Sequence, residues 1–213
     1  MKQNDTKTFW ASILLLLAMV GCGSSNQTSH ERVPESNEAA EPIQKSTSVY
    51  INNPDNEQLA AISIEEDEVY LQLTARELFG VQTKADKRKY YDGADVMQYA
   101  VKYSDDGFKL RDQQEQLLWK VKISETGVKL SSNEEMTSAY KISTSDQGKI
   151  KVKKDGEEVA ALRFKEGKNL VRVGENYLLH GFDGSLAMGI LLIEEIPEEQ
   201  KFILCAELVR QGE

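Results

Sequence analysis

From Tyr99 onward, apolar and polar residues alternate with a period of two, in stretches broken by glycine-containing turns. Trp119, Val121 and Ile123 alternate with Lys120 and Lys122, and Ile150 and Val152 alternate with Lys149, Lys151 and Lys153. Each stretch therefore has one apolar and one cationic face, the signature of a half-buried strand. Aligning the glycines at 107, 127, 148 and 167 brings out a repeat of about 20 residues. Its copies are Tyr99 to Leu110, Trp119 to Leu130, Tyr140 to Val152 and Ala161 to Val173, and the last lacks the leading aromatic residue. Each copy is predicted to be strand, tight turn, strand, with glycine supplying the positive φ that hairpin turns require. Second turns, such as Asp155-Gly156, join the copies into an antiparallel meander.

Upstream, Ser48 to Asn52, Leu59 to Ile64 and Val69 to Leu73 add further strands, for a total on the order of ten to twelve. A sheet of that size is expected to curl or close, because open twisted sheets rarely exceed about 10 strands. Closure also removes exposed edges. The predicted fold is mainly β: a large antiparallel meander, curled or closed into a barrel-like sheet.

Two helical signals interrupt this pattern. Thr74-Ala75-Arg76-Glu77 has the form of a capping box before Leu78-Phe79, with Gly80 as a stop, and predicts one or two helical turns. Near the C-terminus, Leu186 to Ile193 is apolar on every side. It is read as a helix rather than a core strand, although Gly189 weakens a helix by about 1 kcal/mol. Glu194 to Glu199, with Pro197, then leads into Phe202 to Ala206, Leu208 and Val209, and proline and acidic residues suit a helix start. Neither apolar run approaches the roughly 20 residues of a membrane span. A segment apolar all round is buried in protein, so a C-terminal apolar helix is expected to fill the sheet.

The chain start follows a different rule. Lys2 and Lys7 precede an apolar core from Phe9 to Val20, and Gly21-Cys22 supplies small residues for cleavage, so residues 1–21 read as a signal peptide. Met19-Val20-Gly21-Cys22 resembles the bacterial lipobox, with Met where Leu is usual. That resemblance implies cleavage before Cys22 and acylation of Cys22. Stable membrane anchoring requires more than one chain, each buried CH₂ contributing about 0.8 kcal/mol. Gly23 resembles the second residue of outer-membrane lipoproteins, which implies the outer membrane if the cell has two. Residues 22–46, rich in Ser, Asn, Glu, Gln and Pro, read as a linker. Residues 47–213 are the right length for a single β-rich domain.

Charge and cysteine content narrow the chemistry. The chain has 26 basic and 35 acidic residues, and loss of Lys2, Lys7 and Asp5 with the signal leaves 24 and 34, about −10. That balance repels nucleic acid at long range, and no nucleic-acid partner is expected. With Cys22 acylated, Cys205 has no disulfide partner; its apolar neighbours make it a buried, inert thiol. Nucleophile-elbow, zinc-helix and phosphate-loop motifs are missing from the sequence. His180 is the domain's one histidine, too little for a triad without carboxylates or Cys205. Asp105-Asp106-Gly107 and Asp92-Gly93 lack the spaced ligands of a calcium loop and read as turns. Trp119, Tyr99 and Tyr140 stand in the apolar register and read as core. No cofactor, metal site or catalytic residue is assigned.

One stretch inverts the acidic balance. Lys84, Lys87, Arg88 and Lys89 lie within six residues. Such a run is usually a solvated face. Close to a membrane it also offers contact with anionic head groups, at about 1 kcal/mol per basic residue.

A curled sheet of hairpin repeats such as Phe108-Lys-Leu-Arg-Asp112 and Leu118-Trp-Lys-Val-Lys-Ile123, followed by an apolar C-terminal helix, resembles the tubby-like superfamily, which includes LURP-one-related proteins and phospholipid scramblases. The resemblance covers residues 48 to 196. It implies strands around a central apolar helix, and lipid binding or adaptor roles; no site residue carries over. The sequence thus points to a membrane-anchored envelope lipoprotein with a non-catalytic binding or scaffold domain for an envelope protein or lipid. The alternatives are an inhibitor of a cationic envelope enzyme, favoured by the net charge, and a hydrolase using carboxylates and His180.

Overall fold

A computed structural model describes residues 47–213 except 67, 146–147, 164–169 and 182–184; Cys22 and the segments read as signal and linker lie outside the described residues. Period-two alternation becomes one antiparallel sheet of fourteen strands among the described residues. The first strands are β1 (Thr47–Asn52), β2 (Gln58–Glu65), β3 (Glu68–Leu73), β4 (Glu77–Lys84) and β5 (Lys87–Asp92). The repeat region supplies β6 (Met97–Ser104), β7 (Gly107–Arg111), β8 (Leu117–Ser124), β9 (Gly127–Ser131), β10 (Tyr140–Thr144), β11 (Lys149–Lys154) and β12 (Glu157–Arg163). From β1 to β12 each strand pairs with the next.

The last hairpin breaks the sequential order. β13 (Leu170–Val173) and β14 (Tyr177–His180) return to the start of the sheet, where β14 pairs antiparallel with β1 through Ile51 opposite Leu179. The sheet is thereby curled nearly into a closed barrel, with β12 and β13 as its two ends. Inward positions are sealed: Val121, Val128, Leu130, Ile142, Ile150 and Val152 are all buried.

Gly107 and Gly127 have a steric role beyond the turn, whereas Gly148, with φ of 67°, has open space around it. The turns themselves are Asp105-Asp106 and Glu125-Thr126, and Gly107 and Gly127 open the returning strands with φ of 147° and 126°. A Cβ on either would lie 2.1 Å from the carbonyl oxygen of Val121 or Ile142 on the neighbouring strand. Only glycine fits so close a backbone approach.

The interior is filled by the C-terminal segment. α1 (Met188–Leu191) is a single buried turn, and α2 (Glu198–Arg210) is the long element. Pro197 caps α2 with ψ of 142°, Glu198 and Glu199 occupy its first turn and Arg210 its last, an order that complements the helix dipole. Residues 201 to 208 of α2 are buried without a gap. Among the described residues no helix is long and apolar enough to cross a membrane.

Two local expectations are corrected. Thr74-Ala75-Arg76 is a connection, and Glu77 begins a strand. The Thr74 hydroxyl donates to the Leu59 carbonyl at 3.3 Å. Leu78 and Gly80 point inward while Phe79 and Val81 point outward, so period-two burial outweighs the capping-box pattern. Gly80 gives room to Tyr90, whose ring a Cβ would meet at 2.7 Å. Ala187 to Leu191 and Ile193 are buried as expected, with Leu186 and Leu192 partly so, but the α-helix here is the single turn Met188–Leu191; the principal interior helix is α2.

Candidate functional site

The polar side chains of α2 fix its position. Glu199 accepts hydrogen bonds from Arg76 Nε at 2.8 Å and from the Tyr99 hydroxyl at 2.7 Å. Gln200 accepts one from the Trp119 indole at 2.7 Å. Deeper in, Glu207 accepts the hydroxyls of Tyr90 at 2.6 Å and Tyr103 at 2.7 Å. Arg88 completes this cluster, donating to the Gly80 carbonyl at 3.0 Å and to the Tyr103 oxygen at 3.0 Å. Its groups face one another, which suits anchoring of the helix rather than contact with a solute.

Open space lies at the seam. A cavity of about 890 Å³ is bounded by Val159 to Ala161 of β12, Val173 of β13, the β13–β14 turn, Leu191 to Glu195, Tyr140, Lys154 and Lys201. Lys201 is 7% exposed. Its ammonium reaches the Leu191 carbonyl only at 3.5 Å and lies 5.5 Å from the centre of the Tyr177 ring. No carboxylate among the described residues forms an ion pair with it, and burial lowers its pKa. At the mouth, Lys154 donates to the Tyr140 hydroxyl at 2.9 Å and to Glu195 at 3.0 Å. Hydrogen bonding to Tyr140 and Lys154 brings the Glu195 carboxyl down to about 2. The lining mixes apolar side chains, Val159, Ala160, Val173 and Leu192, with polar ones, Glu175, Asn176, Glu194 and Glu195, and a buried ammonium without an ion pair there is suited to an amphiphile that presents an acceptor group.

The cationic run is divided by strand geometry. Lys84 is exposed, Lys87 pairs with Glu115 at 2.8 Å, and Lys89 lies on the outer face. Arg88 is a correction: strand alternation turns it inward, it is fully buried, and its side chain cannot meet a head group. His180 ends β14, partly exposed, opposite Tyr50 and Leu170. Cys205 is buried against the Ala187 carbonyl at 3.3 Å, and burial pushes its thiol pKa well up. Trp119 and Tyr140 belong to the core, with Tyr99 packed against it. The Asp92 carboxylate accepts the backbone N–H groups of Ala94 and Val96, so it is spent on its turn.

Sequence reasoning did not single out Glu207 or Lys201. A signal exists in both cases, since each is a charged residue within the apolar stretch Phe202 to Leu208 or directly before it. Comparison with family models, curated proteins and solved structures gives no match.

Proposed function

We propose that this protein is a lipid-anchored envelope protein whose β domain binds a ligand or partner without transforming it. The anchor half of the reading is supported by the run from Leu14 to Cys22 and the polar residues that follow. The binding half is carried by the seam, where β12 and β13 border a cavity whose lining combines apolar side chains with the buried Lys201. An amphiphile entering there would place its acceptor group at Lys201 and its apolar part along Ala160, Val173 and Leu192. Lipid ligands of an envelope have this chemistry.

Fatty-acid labelling tests the anchor. Cys22→Ser should abolish the label and leave an uncleaved precursor; a mutant that is still labelled sinks the anchor. A photo-crosslinker at Val159, which is 54% exposed beside the seam, should capture lipid in the native envelope, whereas one at Val96 on the far connection should not. Equal lipid capture from both positions overturns the seam as the site.

A further inference from the structure

Charge is segregated along the repeat. Every strand from β6 to β11 carries lysine and none carries Asp or Glu. The acids sit in the connections, as with Asp106, Glu115, Glu125, Glu134 and Asp155. Strand register then lines the lysines up. Lys87, Lys102, Lys109 and Lys120 are successive cross-strand partners on β5 to β8. Lys122, on the same face of β8 as Lys120, begins a second row through Lys129, Lys141 and Lys153 to β11. An outward basic belt thus crosses seven consecutive strands of a chain whose net charge is −9.

Like charges directly opposite one another destabilise a sheet, so the arrangement calls for a cause. Protection of an exposed edge is the usual reason for lysine in strands, but here the edges are β12 and β13 and the belt lies between them. Rim acids neutralise part of it, through Lys87–Glu115, Lys109–Glu134 and Lys122–Asp106. Lys102, Lys129 and Lys141 are exposed and have no ion-pair partner among the described residues.

We propose that the belt docks a flexible linear polymer carrying a phosphate in each repeat, laid across the strands. Neighbouring strands are about 4.8 Å apart, so the belt presents a cation at roughly that interval over about 30 Å. The shape selects a polymer over a membrane. The sheet curls nearly to closure, so a flat bilayer would touch few of the seven strands, and the acidic rims would repel its flanking head groups. A flexible chain can follow the curve between the rims. This inference deepens the binding-domain reading by naming a partner class, at a surface separate from the seam.

The test uses the full chain purified in detergent, with linear inorganic polyphosphate as the probe, titrated over a range of salt. Binding should weaken steeply with salt, and the triple variant Lys102→Gln/Lys129→Gln/Lys141→Gln should bind at least about tenfold more weakly. Its log–log salt slope should be shallower by about 0.7 per lysine removed. The corresponding triple arginine variant should bind as the wild type does. The glutamine variant removes like-charge neighbours, so its melting temperature should not fall. Failure of polyphosphate to bind, or an unchanged slope in the variant, overturns the proposal. So does tighter binding to vesicles of equal parts phosphatidylglycerol and phosphatidylcholine, which assigns the belt to the membrane. None of these outcomes alters the labelling of Cys22 or capture at Val159, so the two readings fail separately.

Discussion

The guanidinium of Arg88 on β5 lies 3.3 Å from the carboxylate of Glu207 on α2, and both side chains are completely cut off from solvent. A buried ion pair offsets its desolvation only when further hydrogen bonds complete both partners. Here they do. Arg88 also donates to Gly80 and Tyr103, and Glu207 also accepts from Tyr90 and Tyr103. The pair therefore sets where the helix sits within the sheet.

Glu207→Ala should destabilise the domain by about 3–5 kcal/mol, because it leaves Arg88 buried without its counter-charge. Arg88→Met/Glu207→Leu should recover most of that loss, since apolar replacement of a buried pair is often neutral or stabilising. Urea denaturation of the two variants checks this. A double variant no more stable than Glu207→Ala would mean that the polar network itself is needed for the fold.

Glu199 gives the helix start a pH dependence. Burial pushes its carboxyl up, but the hydrogen bonds from Arg76 and Tyr99 outweigh this and hold it below the usual range. A depressed folded pKa contributes stability that is full above the unfolded value of about 4.3 and is lost as pH falls through the folded value. Glu199→Gln should therefore be less stable than the wild type at neutral pH. The gap should shrink as pH falls below about 4. Melting temperatures measured across that range check the sign; a gap that is constant with pH would mean that ionisation of Glu199 is not what holds α2.

The β architecture was legible because its cause is local. Alternation such as Trp119-Lys-Val-Lys-Ile123 needs no tertiary information to be assigned to a strand. Residues 74–80 misled because a capping box is a four-residue pattern, whereas strand β4 is fixed by its pairing with Tyr70 and Tyr91 through Phe79. At 186–193 the helical reading holds for the turn Met188–Leu191, but eight residues are too few to fill the sheet, and the thirteen-residue α2 does so instead. Arg88 stands between Lys87 and Lys89 in the cationic run, yet period two places it on the opposite face from both. The basic belt was half visible: the lysine face of each strand could be read from sequence, but whether successive lysines face one another depends on register, which the hairpins and bulges fix only in the folded chain.

Gly189→Ala should be destabilising even though alanine is the better helix former. A Cβ at 189 would lie 2.4 Å from Ile142 Cγ2, deep in a core where overpacking costs about 1–3 kcal/mol, against roughly 1 kcal/mol gained in propensity. Adding Ile142→Ala should relieve the clash. In a double-mutant cycle the two changes should couple favourably by more than about 0.5 kcal/mol. Simple additivity would place α1 farther from β10 than the structure does.

The apolar turn from Leu186 to Ile193 should stabilise the whole domain rather than its own neighbourhood, because it packs on the interior helix α2 and on β10 and β11, well before it in the chain. Ile190 is fully buried and Leu191 is 3% exposed. Truncating either to alanine removes buried methylene groups and leaves a cavity, at a cost of about 2–5 kcal/mol. The two should differ. Leu191 lines the seam cavity, so the site is already partly open and less packing is lost, whereas Ile190 is enclosed and should lie nearer the upper end. Against a typical domain stability of about 5–15 kcal/mol, Ile190→Ala should lower the single melting transition of the entire domain. Lys151→Ala removes only an outer-face contact with Glu158, and such exposed pairs are worth about 0–1 kcal/mol, so its melting temperature should stay close to the wild type. Ile190→Asp buries an unpaired carboxylate and should prevent folding; a soluble, cooperatively melting Ile190→Asp protein would mean that this turn can leave the interior and that α2 alone fills the sheet.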